Sequence, residues 1–200
     1  MSFTEGHAMP AYMQTSDVVR AALTDVVAIL APDRSDIAQL LSLVLDDPQT
    51  YLATYPDLDY LCSAEGDLAR SGLLLMLHGD EFGIGPALLA HFDWKDDVEA
   101  IQSALEPLVP GPDGLTWDWY PDFATQTEEN REFTVEIAED FREETGDRCL
   151  ALGAALITIH VGDSYHLGFC PAADGDRVVS LLRQAGYDGA NIEQSTESRT

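Results

Sequence analysis

AALITIHVGDSYHLGFC, residues 154–170, decides the fold. Two apolar arms flank Gly162-Asp163, and both are rich in the β-branched and aromatic residues that suit a pleated surface. A two-residue Gly-Asp connection between such arms predicts a β-hairpin, with strands over 154–161 and 164–170. In that register His160 faces Tyr165 and Ile159 faces His166. Side chains alternate along a strand, so His160 and His166 are expected on opposite faces of the sheet.

Outward from the hairpin the pattern changes to a helical period. Val178, Val179, Leu181, Leu182 and Ala185 form the apolar side of a helix on the C-terminal flank. On the N-terminal flank, Thr127 is read as the cap of a long helix that runs to about Glu144 and stops at Gly146. Phe133, Ile137 and Phe141 at four-residue spacing give it a buried stripe among many carboxylates. An earlier segment, GDLARSGLLLMLHGDEFGIG at 66–85, resembles GDRCLALGAALITIHVGDSYHLG at 146–168. Each is followed by an amphipathic helix, the first carrying Val98, Ile101, Leu105 and Leu108. This suggests an internal α-β-β-α duplication, with strands at 73–77 and 87–94. The 73–77 run is short and apolar, and equally fits the continuation of a helix.

Ser16-Asp17 and Ser35-Asp36 each open an amphipathic helix, and together these make an N-terminal helical hairpin. A short helical turn at 48–53 and a helix at 57–70 are expected next. Between the halves, GPDGLTWDWYPDF at 111–123 reads as a loop with a short strand over 115–119, which places Trp117 and Trp119 on one strand face. The expected fold is α+β: a mainly antiparallel sheet of four or five strands flanked by amphipathic helices. Residues 16–190 are read as one domain, with flexible tails at 1–15 and 191–200.

The chain holds 36 acidic residues against ten basic ones, nine arginines and the single Lys95, for a net charge of −26. Such a surface disfavours direct binding to nucleic-acid phosphates or to anionic membranes. No apolar run is long enough to span a bilayer, and the first residues lack the basic and apolar regions of a signal peptide. Three cysteines, Cys62, Cys149 and Cys170, are an odd number without C-x-x-C spacing, which reads as reduced thiols in a cytoplasmic protein rather than a disulfide framework.

ALLAHFDWKDDVEAIQSALEPL at 87–108 and ITIHVGDSYHLGFCPAADGDRVVSLLRQAGY at 157–187 resemble the bacterial domain-of-unknown-function family 6630. The resemblance is carried by Asp93-Trp94-Lys95 before an acidic helix start and by Asp163-Ser164-Tyr165 between strands. It implies a small α+β domain and supplies no reaction, cofactor or catalytic residue.

Three functional classes remain open from the residues. The leading reading is a non-enzymatic interaction module for a basic macromolecule, such as an immunity-type inhibitor of a cationic protein or a mimic of nucleic-acid charge. Its contact residues are Glu132, Glu136, Glu139 and Glu143 on the acidic helix, with Trp117 and Trp119 as aromatic anchors. The second reading is a metal-dependent hydrolase using His78, Asp80, Glu81, His91 and Asp93, residue types that suit zinc or manganese. The third is an acidic protein whose charge serves solubility alone. No catalytic nucleophile is assigned: Ser164 and Cys170 lie outside any nucleophile motif. No cofactor is expected.

Overall fold

The computed structural model describes residues 14–56, 67–79, 85–108, 111–128 and 134–195. Four strands form one antiparallel sheet: β1 (Leu89–Asp93), β2 (Ala154–Val161), β3 (Ser164–Pro171) and β4 (Asn191–Ile192). Their order is β1-β3-β2-β4. The β2–β3 hairpin has the register read from its sequence, with His160 opposite Tyr165 and Ile159 opposite His166. Gly162 takes φ of +60°, the first-position glycine of a type II′ turn. The fold is α+β, as expected.

Helices cover both faces. The described residues hold α1 (Asp17–Leu30), α2 (Ser35–Asp46), α3 (Pro48–Thr54), α4 (Leu68–Leu77), α5 (Val98–Leu105), α6 (Tyr120–Glu128), α7 (Thr134–Ala151) and α8 (Gly175–Gln184). On one face, Leu89, Ala155, Ile157, Ile159 and Cys170 join a core built from α1, α2, α4 and α8. On the other, Ala90, Phe92, Leu156, Leu167 and Phe169 pack against α5 and α7. Alternation along the strands supplies both apolar sets, so the sheet is the middle of three layers.

Caps set several helix starts. Ser16 accepts from the Val19 amide, Asp67 from the Ala69 and Arg70 amides, and Asp97 from the Ala100 amide. The N-terminal hairpin and the turn of helix at Pro48–Thr54 form as expected. Of the helix expected at 57–70, the stretch 57–66 lies outside the described residues, as do residues 1–13 of the expected N-terminal tail.

Five expectations are corrected. The run 73–77 is helical, part of α4. Asp67 caps that helix, and it packs against Tyr51 of α3 and Val44 of α2, so leucines on several sides are buried without a sheet. The duplication therefore fails: the second half is α-β-β-α, the described residues of the first supply α4, β1 and α5, and His78 at a helix end has no equivalence with His160 on a strand. The segment 115–119 is no strand but an irregular stretch ending in a turn at 118–119 that leads into α6, with the Tyr120 amide donating to the Trp117 carbonyl at 3.0 Å and the Phe123 amide to that of Trp119 at 3.1 Å.

Thr127 lies near the end of α6 rather than capping a long helix, and α7 continues through Gly146 to Ala151. Gly146 does not stop that helix. It admits another segment, since a Cβ there would lie 1.9 Å from the Glu193 carbonyl oxygen. That segment is the stretch read as a C-terminal tail. Asn191–Ile192 pairs with β2, the Glu193 amide donates to the Leu156 carbonyl at 2.9 Å, and the Ser195 amide donates to Asp147 Oδ1 at 3.2 Å. Ladder and helix contacts together hold these residues in the domain.

Candidate functional site

Two polar constellations lie on opposite faces of the sheet. The first is a cleft of about 280 Å³ between α7 and the β2–β4 edge, lined by Glu139, Arg142, Glu143, His160, Tyr165 and Glu193 among others. Helical spacing puts Glu139 and Glu143 on one side of α7. Arg142 beside them is turned inward. Its Nε donates to buried Glu193 at 3.3 Å, and its guanidinium lies 4.6 Å from the Tyr165 ring centre. Thr158 Oγ1 also donates to Glu193. On the neighbouring strand, the His160 ring stacks parallel on Tyr165 with centres 4.6 Å apart.

The cleft's one inward cation is thus paired with a buried carboxylate, while Glu139 and Glu143 remain as acidic wall. Partial burial, then the charges of Asp140, Glu193, Asp147 and Glu139, push the Glu143 carboxyl above the usual glutamate range. A raised carboxyl pKa means the folded chain holds this proton more tightly than the unfolded chain does. Stability therefore falls as pH rises from the ordinary glutamate value through the raised one. Glu143→Gln is expected to flatten that dependence and to raise stability at neutral pH by roughly a few tenths of a kcal/mol, the scale of relieved like-charge pairs. Urea denaturation of both proteins at pH 4, 5.5 and 7 checks it.

The second constellation is three histidines. His78 follows α4, and its Nδ1 lies 3.1 Å from the Leu89 carbonyl oxygen. Its Nε2 lies 2.9 Å from Nδ1 of His166 on β3. His91 on β1 is the direct cross-strand partner of His166. Ring centres are 5.1 Å apart for His78–His166 and His91–His166, and 5.7 Å for His78–His91. A carbonyl oxygen only accepts, so His78 Nδ1 carries the hydrogen; with both rings neutral, His166 Nδ1–H donates to His78 Nε2. Burial, then the neighbouring His78 and His91, hold the His166 pKa down at about 3.

Of the metal set read from the sequence, the fold brings His78 and His91 together. Asp93 is engaged in the turn after β1, where its Oδ1 accepts from the Lys95 amide at 3.0 Å. Asp80 and Glu81 lie outside the described residues. His166 is the member that sequence reasoning missed. The hairpin register gave its face, but its meeting with His91 depends on the β1–β3 pairing, which no local pattern announces.

Of the expected contact residues, Glu139 and Glu143 line the first cleft and Glu136 lies one turn before Glu139 on α7. Glu132 lies outside the described residues. Trp117 and Trp119 are half-buried and both stack on Phe141, with ring centres 5.8 and 5.4 Å from it. Cys149 and Cys170 are free and buried, and burial pushes both thiols up to about 12. Cys62 lies outside the described residues.

The family model for the domain of unknown function DUF6630 matches residues 22–192. The chain belongs to this family. The match to DUF6630 begins inside α1 and ends with β4, so it takes in both constellations and the final strand. No curated protein and no solved structure matches the chain. Among the described residues of this DUF6630 domain, no helix is long and apolar enough to cross a membrane.

Proposed function

We propose that this protein is a non-enzymatic interaction module that receives cationic side chains of a basic partner in the cleft between α7 and the β2–β4 edge. The observation that carries the reading is geometric: the cleft gathers Glu139, Glu143 and Glu193 around one opening, where burial and then like charge push the Glu143 carboxyl up. A folded chain that keeps such repulsion stands to gain when an ammonium or guanidinium enters. The exposed His160 ring, stacked on the Tyr165 ring that Arg142 already covers, adds a flat polar rim to the cleft. Opposite fields on the two partners speed encounter and make it salt-sensitive. An inhibitor of a cationic protein is the role that fits best, and two buried thiols of raised pKa suit a reducing, cytoplasmic setting.

The test is capture of a native partner by two variants of equal charge change. Replacing Glu132, Glu136, Glu139 and Glu143 with glutamine is expected to cut recovery at least about tenfold, as losing several interfacial charges does. Replacing Asp17, Asp33, Asp163 and Asp176 with asparagine is expected to leave recovery within about twofold, since charges away from an interface act only through the screened long-range field. Equal losses in the two variants would overturn the cleft as the docking surface, and unchanged recovery in both, or no specific partner at any salt concentration, would favour acidity serving solubility alone.

A further inference from the structure

We propose that His78, His166 and His91 form a binding site for one divalent transition-metal ion of the zinc or copper class. Two donor nitrogens already converge, since His78 Nε2 and His166 Nδ1 are 2.9 Å apart. Two nitrogens on one tetrahedral zinc, each ~2.0–2.1 Å from it, stand about 3.3 Å from each other, so a few tenths of an ångström of opening admits the ion. The ion takes the place of the bridging hydrogen, and His166 keeps its proton on Nε2 instead.

The third ring is at the right distance. Imidazoles sharing one tetrahedral ion place their ring centres about 5 Å apart. The three separations here are 5.1, 5.1 and 5.7 Å. His91 is exposed and its ring makes no hydrogen bond among the described residues, so it is free to turn a nitrogen inward. That turn is needed: among the described residues no three His, Cys, Asp or Glu side chains are already arranged around one ion.

The surroundings of His78 match what a metal-bearing imidazole requires. Its Nδ1–H is fixed by the Leu89 carbonyl at 3.1 Å, which sets the tautomer and aims Nε2 at His166. An all-imidazole donor set selects zinc, copper or nickel over magnesium and calcium, which take oxygen ligands. The site is therefore chemically distinct from the carboxylates of α7, on the other face of the sheet.

The experiment uses the full chain stripped with a chelator, titrated with Zn²⁺ in a large molar excess of Mg²⁺, and desalted before elemental analysis. One zinc per chain is expected. His91→Ala alters an exposed side chain and is expected to weaken zinc binding at least about tenfold, the usual minimum for lost metal-site support, with unchanged circular dichroism. The Glu139→Gln, Glu143→Gln double variant is expected to bind zinc as the parent does. Co²⁺ in place of Zn²⁺ is expected to give the intense visible bands of a tetrahedral nitrogen site. No retained zinc, zinc displaced by Mg²⁺, or full affinity in His91→Ala would overturn the proposal. So would loss of zinc in the glutamate variant, which would mean that carboxylates hold the ion.

Discussion

Replacing Phe141 with alanine should remove about 3–5 kcal/mol of folding stability, the usual cost of deleting a buried phenylalanine. Phe141 is fully buried at the centre of the second core. Trp117 and Trp119 stack on its ring, and Tyr120 and Phe123 meet it edge-on at 5.9 and 5.8 Å. Without that ring the segment before α6 loses its main support, because 111–119 has no ladder or helix of its own. Thermal unfolding should begin at least about 6 °C lower, given ~2–4 °C per kcal/mol for a chain of this size. Tryptophan fluorescence of the folded variant should shift to longer wavelength as Trp117 and Trp119 meet water. A change below about 1 kcal/mol would mean that the aromatic cluster packs without Phe141 at its centre.

Gly146→Ala should cost about 3 kcal/mol or more through overpacking, although alanine favours an ordinary helix interior by ~1 kcal/mol over glycine. The two effects have opposite signs, which makes the result decisive. An added Cβ would lie 1.9 Å from the Glu193 carbonyl oxygen and 2.5 Å from its carbon, both backbone atoms. Relief requires the stretch after β4 to retreat from α7, breaking the Ser195–Asp147 hydrogen bond and disturbing buried Glu193 with its partners Arg142 and Thr158. Denaturant unfolding measures the difference. A stabilised variant would show that the C-terminal stretch does not pack on α7.

These two positions also mark what was legible in the sequence and what was not. The hairpin at 154–170 was readable because a Gly-Asp turn and alternating arms fix register locally. The helix opened at Ser16-Asp17 was readable because cap and apolar stripe agree. Residues 73–77 were ambiguous because five apolar residues carry no period, and tertiary burial decided for helix. Gly146 was misread because a glycine after an acidic helix resembles a stop, whereas its role is close approach to a segment 47 residues later in the chain, at Glu193. Trp117 and Trp119 alternate like strand residues, yet both pack on Phe141 from the irregular stretch and turn before α6.

The candidate sites divide along the same line. Glu139 and Glu143 were visible as a charged helix face, since helical spacing is local. Their partner walls, Tyr165, His160 and Glu193, depend on α7 packing across β2 and β4. The His78–His91 pairing was read from proximity in the chain, while His166 enters through a strand pairing between residues 75 positions apart. Long-range register is the information that periodicity lacks.

The claim that the α7 cleft is the recognition surface is tested most directly by titrating the ¹⁵N-labelled chain with a short arginine- and lysine-rich peptide at low and moderate salt. Amide shifts should concentrate at Glu139, Arg142, Glu143, His160, Gly189 and Asn191, weaken with salt, and largely vanish in the Glu139→Gln, Glu143→Gln variant. Shifts spread evenly over the acidic surface, or centred on α1 and α2 instead, would contradict the account.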